Sequence, residues 1–174
     1  VDRPVHAGNA ARRPENPQVA VRKMTKKDFL HSVIAGTAGT AAQWLLMGGR
    51  HWLGILPGFE PYDALQALLS RTVGVALPPG ALGLLTFVNG ALIWSSIFSW
   101  AYDVIPGRTA IVKGAVVTVF AWFVIGLGIF PLIGLGVFAR DAGAGMRPAV
   151  LMLVMLTAYC MTLSFVYARL RRGQ

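Results

Sequence analysis

The sequence predicts an all-helical integral membrane protein with four transmembrane helices in an up-down bundle. Three observations carry that expectation. Residues 114–139, between Lys113 and Arg140, form a run of 26 without a charged side chain, and about 20 apolar residues already cross a bilayer core. The chain of 174 residues is 55% hydrophobic and only 13% charged, with a mean hydropathy of +0.59, where soluble domains carry about a quarter charged residues. Those charges crowd at the chain ends and between apolar runs, as they must when little mass lies outside the bilayer.

The net charge of +9 has its ordinary membrane cause, the excess of Lys and Arg kept on the cytoplasmic side. No basic groove with stacking aromatics accompanies it, so nucleic acid is not an expected partner. The single cysteine, Cys160, excludes an internal disulfide and a thiolate metal cluster.

Residues 1–27 are polar, basic and proline-containing, and cannot bury enough apolar surface to fold alone. They read as a cytoplasmic tail whose Arg12, Arg13, Arg22, Lys23, Lys26 and Lys27 contact lipid or a partner, each worth about 1 kcal/mol near an anionic surface. The first apolar run begins only after Asp28 and is long enough to span, which is not the pattern of a cleavable signal.

The first membrane helix is expected over residues 28–47, capped by Thr25 or Asp28. Ser32, Gly36, Gly39 and Thr40 put small residues on one side, the side by which helices approach closely in lipid. Residues 63–73 carry Leu65, Leu68, Leu69 and Val73 at helical spacing but are too short to span, so an outer interfacial helix is expected. The second membrane helix follows Pro78-Pro79 and occupies 80–102. A tight turn at Pro106-Gly107-Arg108 leads into a third helix over 109–130, with Lys113 one turn in, its stem reaching back to the headgroups. Unbroken helix over residues 109–138 would extend about 45 Å and overshoot a ~30 Å core. Pro131 is therefore expected to end or kink it near Phe130, leaving residues 131–138 interfacial or re-entrant. The fourth helix follows Pro148, over 149–170, and residues 171–174 form the C-terminus.

Counting Lys and Arg gives the orientation. Twelve of the 16 fall in the N-terminal tail, the turn between helices two and three and the C-terminus. Arg50, Arg71, Arg140 and Arg147 lie on the other side, so both termini are expected in the cytoplasm.

Polar residues at membrane depth are the first functional suspects. Gln43, Asn89 and Thr157 fall in the outer half of their helices and can meet in one interhelical cluster, with Ser95, Ser96 and Ser99 lower in helix two. Interhelical glue, about 0.6 kcal/mol per bond, explains such a cluster as well as a site does. None of the three is ionisable, and every Asp and Glu lies at a helix end or in a loop, so a proton pump is not expected. Haem between paired histidines is not expected either. His6 lies in the tail, and His31 and His51 are 20 residues, about 30 Å, apart on one helix. No nucleophile elbow or phosphate loop occurs.

Pro106, Gly107 and Arg108, then Lys113-Gly114, Trp122, and Pro131, Gly134, Gly136 and Phe138 form a pattern across helices two and three. It resembles uncharacterised bacterial inner-membrane proteins of the YagU-like kind, over residues 28–170. The resemblance implies four helices in a bacterial inner membrane and no stated activity. Such relatives often place His in helices two and four, where this chain has Asn89 and no His.

Together these features predict a non-catalytic accessory or structural subunit packing against a larger membrane complex, such as a respiratory or photosynthetic electron-transfer assembly. Its expected partners are membrane lipids and other membrane-protein subunits, and no cofactor of its own is expected. A small transporter or channel lined by Gln43 and Asn89 is the alternative, and a membrane-embedded lipid-modifying enzyme the third reading.

Overall fold

Thr25 and Asp28 start the first helix by capping each other. The Thr25 hydroxyl accepts the Asp28 N–H at 3.2 Å, while the Asp28 carboxylate accepts the Thr25 N–H at 3.1 Å, satisfying two backbone donors at once. The computed structural model describes residues 24–55, 61–74, 78 and 80–173. Of the basic tail residues, Arg12, Arg13, Arg22 and Lys23 lie outside them, and Lys26 and Lys27 open α1, Lys26–Trp52. This helix runs five residues past the expected Met47, because nothing at Gly48-Gly49 stops it. Gly54, at φ 64°, does: the Ile55 N–H turns back to the Arg50 carbonyl at 3.1 Å.

The short helix expected over residues 63–73 is α2, Pro61–Val73, with Leu65, Leu68 and Leu69 half-buried and Asp63, Ser70 and Arg71 exposed. Then come α3, Ala81–Ala101, and α4, Ala110–Leu132, opened by a Thr109 cap in which the hydroxyl accepts the Val112 N–H at 3.3 Å. A short 3₁₀ turn, Val137–Ala142, leads to α5, Arg147–Arg172, with Pro148 in its first turn. All regular structure among the described residues is helical.

The helices alternate in direction. Asp28 at the start of α1, Asp103 just past α3, and Tyr167 and Arg171 at the end of α5 surround one small depression. α5 is the central element, packed on one flank by α1 and on the other by α4, while α3 packs on α1. Its Tyr159, Cys160, Leu163 and Tyr167 form the core with Ala35 of α1 and Phe98 of α3. Ser32, Gly36, Gly39 and Thr40 are all buried, Gly36 against Ser95 and Gly39 against Tyr159. The small side of α1 is thus used inside this chain.

Small polar residues join the apolar ones inside the bundle, and large apolar ones cover its outside. Buried positions hold Ser32, Thr40, Ser95, Thr118 and Ser164, while Leu84, Ile93, Ile111, Phe120, Leu127 and Phe165 are exposed. Such a pattern suits a hydrocarbon surround, where small residues set helix packing and large apolar ones meet lipid. Three helices, α3, α4 and α5, are long and apolar enough to cross a membrane.

One local expectation changes. Lys113 does not reach back to headgroups: it is 8% exposed, and its ammonium donates to the carbonyls of Tyr102 and Ile105, the latter at 2.8 Å. The end of α3 leaves carbonyls without helical partners, and a cation one turn into α4 is the nearest donor. The helix carrying Pro131 ends at Leu132, two residues past the expected Phe130, and a π-helical segment, Ile125–Ile129, lies just before it. The chain then folds back, Phe138 and Ala139 taking left-handed φ of 52° and 58°. The Phe138 ring lies 4.6 Å from that of Trp122 and fills the space over Gly126, where a Cβ would come within 2.3 Å of it.

Candidate functional site

The packing order leaves a gap. α3 is held by α1 and α4 by α5, so between α3 and α4, over α5, there is a cleft of about 410 Å³. Its floor is Leu156, Tyr159, Cys160 and Leu163 of α5. One wall is α3, with Asn89, Ile93 and Trp94; the other is α4, with Val117, Ile125 and Ile129. Gln43 of α1 borders it, and Leu65 brings α2 to its lining.

Both walls are π-helical where they face the cleft, over Asn89–Trp94 in α3 and Ile125–Ile129 in α4. A π turn is rare and occurs mostly where a helix serves a function. Here the first presents Asn89, Gly90, Ile93 and Trp94 to the cleft, and the second presents Ile125 and Ile129. Gly90 also lets α3 close on α1, since a Cβ there would lie 2.6 Å from the Thr40 hydroxyl. The Tyr159 hydroxyl donates to the Gly90 carbonyl at 2.6 Å and ties the floor to that wall.

Most polar groups at the cleft are occupied within the chain. Besides Tyr159, the Thr86 hydroxyl donates to the Leu82 carbonyl at 2.8 Å, and the Cys160 thiol sits against Thr118. The carboxamides of Gln43 and Asn89 make no side-chain hydrogen bond among the described residues. Asn89 lies eight residues, about 12 Å of helix, from the start of α3. Its neighbour Gly90 packs against Thr40, and Trp44, next to Gln43, packs on Phe87 with ring centres 6.1 Å apart, so the two amides stand at similar depth on neighbouring helices. Among the described residues that line it there is no Asp, Glu, His, Lys or Arg.

Of the three polar residues singled out in the sequence, Gln43 and Asn89 come to this one cleft. Thr157 does not line it, and its hydroxyl donates to the Leu153 carbonyl of its own helix at 2.7 Å. Ser95 likewise bonds its own helix, at the Ala91 carbonyl, 2.5 Å away, whereas Ser99 bonds the Tyr167 hydroxyl across to α5 at 2.8 Å. His31 lies on α1 outside the cleft. The floor and the α4 wall were not singled out in the sequence. Apart from Tyr159 and Cys160 their residues are apolar, and only Gly90 and the Gly126-x-Gly128 pair mark the two π segments.

A family model matches residues 26–174, the whole of the helical region. The chain belongs to the family of unknown function DUF6789. No curated protein and no solved structure matches it. The match begins at Lys26, where α1 begins, and takes in both walls and the floor of the cleft.

Proposed function

We propose that this member of DUF6789 is a non-catalytic protein of the bacterial inner membrane that crosses it four times and holds one small apolar ligand between α3 and α4. The observation that carries this reading is the cleft, with its apolar walls, two π segments and two amides without partners. Its volume of about 410 Å³ lies in the range of small-molecule sites. The absence of charged or imidazole side chains among the described lining residues supports holding a ligand over acid–base chemistry on it.

α1 supplies the fourth crossing in this reading. At 27 residues it is about 40 Å long, and Phe29, Leu30, Ile34, Trp44 and Leu45 on its outer side are exposed as on the other three helices. The end where α1 starts and α5 stops carries Lys26, Lys27, Arg108, Arg169, Arg171 and Arg172, which supports placing it in the cytoplasm. The broad exposed apolar surface supports an accessory role beside other membrane subunits.

The test is gentle purification from native membranes, followed by particle sizing and mass spectrometry of whatever apolar compound remains bound. About one such compound per chain is expected. Ile129→Trp, which enlarges a 39% exposed wall residue into the cleft, should lower that occupancy at least tenfold with helicity unchanged. Equal occupancy in the two proteins would sink the cleft reading. A co-migrating complex would identify the assembly served.

A further inference from the structure

Resting on the reading of the cleft as a ligand site, we infer that its ligand is a neutral single-chain lipid whose head carries a carbonyl group, seated at mid-depth between Gln43 and Asn89. The argument starts from the two amides. α3 is 21 residues, about 31 Å, close to the thickness of a bilayer core. A position about 12 Å along it lies within hydrocarbon. Each carboxamide offers two N–H donors and an acceptor, and a polar group without a partner in an apolar medium is costly. Two such groups at one depth, on one cleft, are matched by a ligand that brings acceptors to that depth.

Charge decides the class of head. With no cation among the described residues of the lining, a phosphate, sulfate or carboxylate would be buried there without a counter-charge, which disfavours binding far more strongly than a missing hydrogen bond. A ketone, ester or quinone carbonyl accepts from an amide N–H without that cost. Volume decides the number of chains: about 410 Å³ accommodates one slender tail. Below the amides, the space bounded by Ile93, Trp94, Val117 and Leu163 is apolar and fits that tail.

Trp94 lines the cleft and reports on it directly. The full chain in mild detergent is titrated with two brominated probes that quench tryptophan: a dibromostearoyl monoglyceride, neutral with an ester carbonyl, and a dibrominated octadecyl sulfate, anionic. Saturable quenching by the monoglyceride, absent in Trp94→Phe, is expected, with the sulfate at least tenfold weaker. Asn89→Leu and Gln43→Leu, made singly, should each weaken the monoglyceride three- to tenfold and leave the sulfate unchanged. If neither probe gives quenching that depends on Trp94, the cleft is not a ligand site and the proposed function falls with it. If both bind at Trp94 with equal affinity, or the amide variants bind the monoglyceride as tightly as the native chain, the cleft holds apolar chains but the carbonyl-head inference is overturned. Far-UV circular dichroism of each variant keeps loss of fold apart from loss of binding.

Discussion

Gly36→Leu is expected to unseat α1 from the bundle. A Cβ at Gly36 would stand 2.5 Å from the Ser95 Cβ and 2.8 Å from the Ala91 carbonyl oxygen. The carbonyl is backbone inside a helix, and the Ser95 Cβ cannot rotate away, so the two helices must separate. Overpacking of this kind costs about 1–3 kcal/mol in a soluble core. Within lipid the loss is harder to recover, because close packing is itself what associates the helices. Separation would also pull Gly90 from Thr40 and strain the Tyr159 bond to Gly90 that joins the floor of the cleft to its wall. The readout is unfolding by SDS titration in mixed micelles, where the midpoint should fall sharply or the folded form disappear. Gly48→Leu is the control, since nothing lies within 4 Å of a Cβ there and its midpoint should stay near the native value. Equal behaviour of the two variants would mean that α1 and α3 do not meet at Gly36.

How much of this was legible follows from what each residue type can signal. The helices were, because an uncharged run such as 114–139 has no other use in a chain of this size, and Thr25, Thr109 and Pro148 marked their starts. The small side of α1 was legible as well, since Ser32, Gly36, Gly39 and Thr40 recur at helical spacing. Asn89 and Gln43 stood out because amides are rare at membrane depth. Their partners in the cleft did not. Ile125 and Ile129 face a cavity, Val119 and Phe120 are exposed on the same helix, and no composition separates an apolar residue facing a cleft from one facing lipid. The π segments were hidden for a related reason. They add a residue to a turn without requiring a particular side chain, and Asn89–Trp94 reads as ordinary apolar helix. Thr157 was misleading in a different way. A hydroxyl on a membrane helix can satisfy itself on the carbonyl four residues back, as Thr157 does on Leu153, and then carries no information about its neighbours.

Lys113→Met should be the most damaging single change at the other end of the bundle. Met nearly matches the Lys stem in length and flexibility, so the substitution removes chiefly the ammonium. That group donates to the Tyr102 and Ile105 carbonyls and lies 4.5 Å from the centre of the Tyr102 ring. Without it, two carbonyls at the end of α3 lose their partner, and α4 loses its strap to α3. Hydrogen bonds to a charged group contribute about 1.5–3 kcal/mol each. Relief from burying a cation offsets part of the two, which leaves a net loss of about 2–4 kcal/mol. The same SDS titration measures it. Lys113→Arg supplies donors in a rigid planar fork and should recover a part of the loss but not all of it, since the two carbonyls are placed for a compact ammonium. Asp103→Asn gives the contrast. Its bidentate partner Arg171 lies 2.7 Å away, but the two side chains are 54% and 27% exposed, and such surface pairs contribute about 0–1 kcal/mol. A midpoint for Lys113→Met that falls no further than that of Asp103→Asn would show that the ammonium is solvated and the α3–α4 turn is held by its backbone alone.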